Sequence, residues 1–194
     1  MVLEFKVYVY SIIDDLSLVF STSTLMNPKG VIAVNSSDEA TIMCCPAEMQ
    51  DKRSLGLVQV WNLDDIKDEC LTISAHDSTL GTLELNFQGT LMASASEKGT
   101  VIRIFDTKRG SLIQEFQRGT ESAVIFSIDF HYSNDWLSCI SDSGTLHIFN
   151  LVTVTNQKKG MSPTKTNRKI TKNTKGGRNS TKNPKSRYFC FLNF

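Results

Sequence analysis

The chain has 194 residues, enough for one domain, and its net charge of +1 at pH 7 conceals an uneven distribution. Residues 1–150 contain all 20 acidic side chains and 10 of the 21 basic ones, whereas residues 151–194 contain 11 basic side chains and no acidic one. No apolar run reaches the roughly 18 residues of a membrane-spanning helix. The five cysteines have no CxxC spacing and the chain begins without a signal-peptide pattern, which predicts reduced, buried thiols rather than a disulfide framework.

Short strands are predicted along the whole acidic region, because apolar and polar residues alternate there and helical periodicity is weak. In chain order they comprise residues 5–12, 16–21, 31–34, 40–45, 56–63, 71–74, 82–87, 90–96, 100–106, 112–116, 124–130, 136–141 and 145–151. Four glycines follow polar residues where a tight hairpin turn favours positive φ: Gly89, Gly99, Gly110 and Gly144.

A sequence repeat predicts how these strands are arranged. The segments GLVQVWNL (56–63), GTVIRIFD (99–106) and GTLHIFNL (144–151) share a glycine, alternating apolar residues, an aromatic residue and then Asn or Asp. Their spacing of about 44 residues lies within the ~40–45 residues of a four-stranded propeller blade. The sequence therefore predicts an all-β, WD-repeat-like β-propeller.

The propeller is predicted to be incomplete. Blade remnants fall at about residues 1–22, 29–75, 80–117 and 123–151, within a partial propeller that spans residues 1–152. Four to eight blades close a propeller, and this chain supplies three to four, so we expect open strand edges. A fragment or short isoform of a larger propeller is favoured over a chain that needs a partner to complete its ring. Residues 153–194 are basic and of low complexity, and have too few apolar residues to order themselves, so they are predicted to be disordered.

Polar side chains with the chemistry of an anion site flank the step formed by Gln117, Arg118 and Gly119. Arg118 follows an outer strand and faces a groove between blades, and Gly119 permits close approach of a phosphate. The alternative is a solvated surface arginine. Hydroxyl, imidazole and guanidinium groups on the two adjoining hairpins either hold phosphate oxygens or link strands internally. Those groups belong to Ser94, Ser96, Thr100 and Arg103 on one hairpin and to Ser141, Thr145 and His147 on the other.

No motif for catalysis or for a metal site is present. The three histidines lie outside any recognisable nucleophile motif, and P-loop, HExxH and GxGxxG patterns do not occur. The sequence predicts a protein that is not an enzyme and that uses no cofactor. The basic C-terminal segment allows binding to nucleic acid or to an acidic membrane surface. The alternative is that this segment has no selected role.

Residues 75–120 (AHDSTLGTLELNFQGTLMASASEKGTVIRIFDTKRGSLIQEFQRGT) and 141–151 (SDSGTLHIFNL) resemble the PROPPIN family. Its members are seven-bladed WD-repeat-like β-propellers that bind phosphoinositides in autophagy, and the resemblance covers about the first 150 residues. It implies a cytoplasmic adaptor that is recruited to preautophagosomal or endosomal membranes. The implied ligands are phosphatidylinositol 3-phosphate and phosphatidylinositol 3,5-bisphosphate, and autophagy proteins are possible partners.

The resemblance also implies two pockets for lipid head groups. The first pocket contains His76, Ser94, Ser96, Gly99, Thr100 and Arg103. The second pocket contains Arg118, Gly119, Ser141, Thr145 and His147.

In the family, a motif written F/L-R-R-G places one arginine in each pocket, but residues 116–119 of this chain read FQRG. Gln117 cannot make the charge-assisted hydrogen bonds of an arginine, so we expect the first pocket to be weakened by about one to two decades. The lysine-rich C-terminal segment stands where the family has a loop that inserts into the membrane. Two alternatives to lipid binding are a truncated protein-interaction scaffold and nucleic-acid binding through the basic tail.

Overall fold

The structure of the protein is a computed structural model that describes residues 1–12, 15–35, 37–48, 55–66 and 70–151, and the backbone of residues 168–170. The strands of this described part form four antiparallel sheets, in which consecutive strands pair as meanders. Within the same residues no helix is long and apolar enough to cross a membrane.

The first sheet contains β1 (Lys6–Tyr10) and β2 (Leu18–Ser23). The second sheet contains β3 (Ala33–Val34), β4 (Ile42–Pro46), β5 (Gly56–Asn62) and β6 (Leu71–His76). The third sheet contains β7 (Leu80–Leu85), β8 (Leu91–Ser96), β9 (Val101–Asp106) and β10 (Leu112–Gln117). The fourth sheet contains β11 (Ile125–Phe130), β12 (Trp136–Ser141), β13 (Leu146–Asn150) and β14 (Arg168–Ile170).

The second, third and fourth sheets are arranged as successive blades. Strand β7 contacts both β3 and β11, so the first strands of these three sheets lie side by side. This is the arrangement of innermost strands in a β-propeller. The predicted all-β propeller fold is confirmed, and it is partial, as the repeat count predicted.

The hairpin turns have the backbone geometry that their glycines predicted. Gly89, Gly99, Gly110 and Gly144 have φ values of 71, 59, 69 and 68°. Gly99 is the most constrained, because a Cβ atom there would lie 1.9 Å from the carbonyl oxygen of Ala123. The turn between β8 and β9 is thus packed directly against the connection that leads to the fourth sheet.

Apolar side chains fill the spaces between neighbouring sheets. Val7 of the first sheet packs with Met43 and Cys45 of the second. Leu83 and Met92 of the third sheet pack with residues of the second, whereas Ile102 and Ile104 pack with residues of the fourth. The third sheet therefore has both faces covered. Stacking of Phe116 on Phe149, with ring centroids 4.6 Å apart, joins the third sheet to the fourth.

Three of the four cysteines among the described residues are buried, as the sequence predicted, and Cys70 is partly exposed. Cys44, Cys45 and Cys139 are fully buried and are free thiols. Burial raises the pKa of the Cys45 thiol to about 12, so this thiol stays protonated at neutral pH. These residues act as small apolar side chains of the core.

A short segment of the C-terminal region, which was predicted to lack structure, forms strand β14. It pairs antiparallel with β13 and places Lys169 opposite His147 in the register. The outer edge of β13 presents backbone N–H and C=O groups that pair readily with an extended segment. The rest of the predicted disordered tail lies outside the described residues.

The first three residues cover the edge of β1 in a similar way. Val2 forms an isolated antiparallel bridge with Val7. The Tyr8 amide donates to the Met1 carbonyl oxygen at 2.8 Å, and the Met1 ammonium group donates to the Tyr8 carbonyl oxygen at 2.7 Å. These pairings were not part of the strand prediction, because residues 1–3 are too few to show an alternation.

Candidate functional site

A cross-strand row places several predicted site residues on one face of the third sheet. Ser94 of β8 lies opposite Leu83 of β7, Arg103 of β9 lies opposite Ser94, and Glu115 of β10 lies opposite Arg103. Directly opposed residues of antiparallel strands project to the same face. Because Leu83 packs against the second sheet, this face is the one turned towards that sheet.

His76 lies between the second and third sheets. It is the last residue of β6, it is buried, and its Nε2 lies 3.0 Å from Ser94 Oγ. Burial lowers the pKa of His76 to about 4, and the positive charge of Arg103 lowers it further. The imidazole is therefore neutral at pH 7 and can exchange one hydrogen bond with the serine hydroxyl. Ser96, two residues beyond Ser94, is buried at the end of β8.

Arg103 donates one hydrogen bond to the second sheet and another to an acidic residue of its own sheet. Its Nη1 donates to the Ala75 carbonyl oxygen at 2.7 Å, and its Nε donates to Glu115 Oε2 at 2.8 Å. A guanidinium has five N–H donors, so these two bonds leave donors for an anion. Glu115 was not among the site residues predicted from the sequence. Its position five residues after the turn at Gly110 was the available signal, because strand pairing then sets it opposite Arg103.

Gln117 and Arg118 have different environments. Gln117 follows Glu115 by two residues in β10 and therefore projects to the same face of the third sheet, where its side chain is exposed. Arg118 follows the strand and is buried, with Nε donating to the Gly99 carbonyl oxygen and Nη2 to the Glu121 carbonyl oxygen. Arg118 is thus not a solvated surface arginine. Two of its side-chain nitrogens already donate to main-chain carbonyl oxygens, so only its other N–H groups could bind an anion.

The charge of Arg118 lies near the fourth sheet. Burial raises the pKa of the Cys139 thiol to about 11, and the Arg118 guanidinium partly opposes this rise. Cys139 lies opposite His147 in the register of β12 and β13. Arg118 therefore projects into the space between the third and fourth sheets, on the side of the predicted second pocket.

The turn between β8 and β9 accepts hydrogen bonds from the main chain of Arg118 and Gly119. The amides of Arg118 and Gly119 both donate to the Thr100 carbonyl oxygen, at 2.8 and 3.3 Å. Gly99 and Thr100, assigned to the first pocket from the family resemblance, thus also fix the residues of the second through their backbone carbonyls. Among the described residues, no atom lies within 4 Å of where a Cβ of Gly119 would stand, which leaves space beside its backbone.

The polar residues of the fourth sheet form one continuous chain of contacts. Ser141 Oγ lies 2.8 Å from Ser143 Oγ, Ser143 Oγ lies 2.9 Å from Thr145 Oγ1, and Thr145 Oγ1 lies 3.0 Å from His147 Nε2. The hairpin turn brings alternate residues to one side, so the spacing of two in Ser141, Ser143, Thr145 and His147 was the signal for this chain. Ser143 was not among the predicted site residues, because it directly precedes Gly144 in the predicted hairpin turn.

An aromatic stack fixes His147 relative to the third sheet. The His147 and Phe149 rings are stacked with centroids 6.0 Å apart, and Phe149 in turn stacks on Phe116. Phe116 immediately precedes Gln117 and Arg118. The two predicted pockets are therefore joined through packed rings and lie on opposite sides of the third sheet's outer end.

Of the predicted first pocket, the structure brings His76, Ser94 and Arg103 together directly, with Ser96 beside them. Of the predicted second pocket, it joins Ser141, Thr145 and His147 through hydroxyl contacts. The hydrogen bonds of the Arg118 guanidinium among the described residues go instead to main-chain carbonyl oxygens. These main-chain partners of Arg118 were not predicted from the sequence.

The model of one protein family, described as PROPPIN, matches residues 1–173. "Autophagy-related protein 18e" of Arabidopsis thaliana is 38% identical over 154 residues, which cover 77% of this chain and 38% of that protein. "WD repeat domain phosphoinositide-interacting protein 1" of Homo sapiens is 34% identical over 157 residues, which cover 80% of this chain and 34% of that protein. The chain thus spans little more than a third of the length of these relatives.

Solved structures share the fold. Kluyveromyces lactis Hsv2 superimposes with a TM-score of 0.62 at 19% identity, over 90% of this chain and 57% of that one. A complex described as "KlAtg21 with coiled-coil of AgAtg16" superimposes with a TM-score of 0.62 at 26% identity, over 76% of this chain and 47% of that one. The described sheets therefore correspond to about half of each of these structures.

Proposed function

Because this chain belongs to the PROPPIN family, we propose that it is a non-enzymatic adaptor that binds phosphoinositides and is recruited to membranes. One observation carries the proposal. Two clusters of hydroxyl and imidazole groups flank the step at Gln117 and Arg118, with the guanidinium of Arg103 in one cluster and that of Arg118 beside the other. The name of the human relative, a phosphoinositide-interacting protein, supports the choice of ligand.

The chemistry of the clusters suits a phosphorylated inositol ring. Serine and threonine hydroxyls donate to phosphate or inositol oxygens, and a guanidinium supplies charge-assisted hydrogen bonds. The proposed ligands are phosphatidylinositol 3-phosphate and phosphatidylinositol 3,5-bisphosphate. Catalysis is not required, because binding alone recruits an adaptor to the membrane.

We assign the stronger binding to the second pocket, which consists of Arg118, Gly119, Ser141, Thr145 and His147. Two observations on the described residues support this assignment: Arg118 has N–H groups beyond the two that bond to main-chain oxygens, and there is space beside Gly119. The first pocket, which consists of His76, Ser94, Ser96, Gly99, Thr100 and Arg103, binds more weakly. Gln117 brings no positive charge to it, and Glu115 already engages Arg103.

The proposed site of action is the cytoplasmic face of preautophagosomal or endosomal membranes. Autophagy proteins are the proposed protein partners. The similarity to the relative named for autophagy, and to a solved structure that holds a coiled coil of AgAtg16, supports this proposal.

Flotation with vesicles tests the second pocket. Full-length chain is mixed with phosphatidylcholine vesicles that contain phosphatidylinositol 3-phosphate or unphosphorylated phosphatidylinositol. We expect Thr145→Val to weaken binding to the phosphorylated lipid about tenfold, because it removes a hydroxyl from the chain of contacts that ends at His147. Thr72→Val, on the exposed side of β6, is the matched control and is expected to bind normally.

A deletion separates lipid binding by the propeller from attraction by the basic tail. Removing residues 171–194 keeps β14 and eliminates several lysines and arginines. Binding that survives this deletion and is weakened by Thr145→Val supports the proposed pocket. Binding that disappears with the deletion, and that RNA competes for, assigns the activity to the tail as a nucleic-acid or acidic-surface ligand.

A further inference from the structure

The polar chain of the fourth sheet, which consists of Ser141, Ser143, Thr145 and His147, is unevenly accessible to solvent. Ser141 is only 1% exposed, so its hydroxyl is enclosed by the protein. Thr145 and His147 are partly buried, whereas Ser143 is exposed. A ligand that approaches the chain from solvent therefore meets the Ser143 hydroxyl before that of Ser141.

The exposure of Ser143 follows from its place in the hairpin turn between β12 and β13. Gly144, directly after it, has a φ of 68°, and the Gly144 amide donates to the Ser141 carbonyl oxygen at 3.0 Å. In the third sheet, Gly99 also has a positive φ of 59°, and Lys98 directly before it is exposed as well. Both faces of the third sheet are covered, so exposure at this position is a property of the turn and does not depend on a missing neighbour.

Burial of Ser141 sets the direction of its hydrogen bond with Ser143. The two Oγ atoms lie 2.8 Å apart, and either hydroxyl could donate on distance alone. If Ser143 were the donor, the Ser141 proton would be buried with no acceptor among the described residues, and an unsatisfied buried donor destabilises the folded state. Ser141 therefore donates, and Ser143 Oγ accepts.

This direction leaves the proton of Ser143 for a different acceptor. Within the chain that acceptor is Thr145 Oγ1, which lies 2.9 Å from Ser143 Oγ. An ionised phosphate oxygen is a stronger acceptor than a hydroxyl oxygen. When Ser143 donates to a phosphate instead, Thr145 keeps its contact with His147 Nε2 at 3.0 Å and Ser141 keeps its bond to Ser143. The exchange therefore leaves both of these hydroxyls with a partner.

We propose that Ser143 is the serine that donates a hydrogen bond to a phosphate in the second pocket, and that Ser141 is a positioning residue that acts through it. This inference rests on the proposed function of that pocket. The ligand class is a phosphomonoester on an inositol ring, whose ionised oxygens only accept hydrogen bonds. Ser141 occupies Ser143 Oγ as an acceptor and so keeps the Ser143 proton directed outwards.

Isothermal titration of the full-length chain with inositol 1,3-bisphosphate, the soluble head group of phosphatidylinositol 3-phosphate, tests the contact. Ser143→Ala is expected to weaken binding about tenfold, because a hydrogen bond to a charged group is lost. Ser143→Thr keeps a hydroxyl and is expected to bind within about threefold of the wild type.

Ser133→Ala is the matched control. Ser133 is an exposed serine in the turn between β11 and β12 of the same sheet. Its Oγ also lies 2.8 Å from a histidine nitrogen, Nδ1 of His131, and it donates to Asp135 Oδ2 at 2.8 Å. It belongs to neither pocket, so Ser133→Ala is expected to bind like the wild type.

A double-mutant cycle tests the positioning role of Ser141. Ser141→Ala is expected to weaken binding about threefold in the wild type and to have no effect in Ser143→Ala, because Ser141 acts only through Ser143. An equal loss in both backgrounds would show that Ser141 contacts the ligand itself and would overturn the assignment. Circular dichroism checks folding, and if Ser141→Ala does not fold, the two Ser143 variants decide alone.

The outcomes separate this inference from the proposed function. A loss in Ser143→Ala that Ser143→Thr and Ser133→Ala do not show supports the inference. Wild-type affinity in folded Ser143→Ala overturns the inference and leaves the proposed function standing. A wild type that binds inositol 1,3-bisphosphate no better than inositol 1-phosphate or inorganic phosphate overturns both.

Discussion

His76 Nε2 and Ser94 Oγ lie 3.0 Å apart and join the last strand of the second sheet to the second strand of the third. The contact is buried, and both side chains belong to the first of the two pockets that we propose for a lipid head group. These side chains hold two sheets together, and in the proposed function they also contact a phosphoinositide head group.

Folding stability is expected to decrease as the pH falls from about 6.5 towards 4. The folded-state pKa of His76 is lowered to about 4, mainly by burial, whereas an unfolded histidine has a pKa of 6.5. The unfolded chain thus binds more protons in this interval, and protonation favours unfolding. Urea midpoints measured at pH 7 and pH 5 are expected to differ less in His76→Gln than in the wild type.

His131→Gln provides the control for this prediction, because the His131 side chain is exposed in the connection between β11 and β12. Its pH dependence is expected to match that of the wild type. An undiminished pH dependence in His76→Gln would contradict the assignment of a neutral, buried imidazole.

Removing the acidic partner of Arg103 is expected to strengthen the first pocket. Glu115 Oε2 accepts from Arg103 Nε at 2.8 Å, and the two side chains are partly exposed. Glu115→Gln eliminates the competing carboxylate while an exposed ion pair of this kind stabilises folding by less than about 1 kcal/mol. We expect binding of phosphatidylinositol 3-phosphate vesicles to increase about threefold.

Glu39→Gln is the charge-matched control, since it changes net charge equally on an exposed turn between β3 and β4. Equal increases in the two variants would show that overall charge, rather than release of Arg103, controls membrane binding.

Restoring an arginine at position 117 is expected to strengthen the same pocket. Gln117 projects to the face that contains Arg103 and Glu115, and it is exposed. Gln117→Arg adds a charge-assisted donor there, which predicts binding tighter by about one to two decades. Gln114→Arg adds the same charge one residue out of phase with Glu115, and it is expected to have a small effect. Isothermal titration with a soluble head group gives both affinities, and no gain in Gln117→Arg would refute the first-pocket assignment.

Two glycine turns of similar geometry predict different costs for alanine. Gly99 and Gly144 have φ values of 59 and 68°, so alanine is strained at both by about 1–2 kcal/mol. At Gly99 the new Cβ would also lie 1.9 Å from the Ala123 carbonyl oxygen, whereas at Gly144 no atom of the described part of the chain lies within 4 Å. Gly99→Ala is expected to cost about 3 kcal/mol or more, and Gly144→Ala only the backbone strain, measured as free energies of unfolding in urea. Equal costs would contradict the close packing at Gly99.

The fold was predictable from sequence because its signals are local. Alternation with a period of two locates the strands, and the glycines at 89, 99, 110 and 144 locate turns that have the predicted positive φ. Repetition of the glycine-to-aromatic segment then shows that each set of strands is a similar unit. None of these signals depends on which distant residues come into contact.

The hydrogen bonds of the Arg118 side chain could not be predicted from local sequence signals. Its partners are main-chain oxygens of Gly99 and Glu121, and every residue has such an oxygen, so no side-chain pattern identifies them. Strand β14 was missed for a related reason, since an open strand edge selects a partner by backbone hydrogen bonding and not by apolar side chains. The position of Gln117 on the face of Arg103 needs the strand register as well as alternation, because Glu115 must first pair with Arg103.

The central claim is that the polar clusters beside Gln117 and Arg118 bind 3-phosphorylated phosphoinositides. The most direct measurement is flotation of the wild type and of Arg118→Ala with vesicles that contain phosphatidylinositol 3-phosphate, beside Arg109→Ala as an exposed, charge-matched control. Thermal melts confirm that each chain is folded. We predict that the wild type and Arg109→Ala float with these vesicles and not with unphosphorylated phosphatidylinositol, and that folded Arg118→Ala loses at least about tenfold in affinity. Equal flotation of all three chains, or flotation that is indifferent to the 3-phosphate, would contradict the claim.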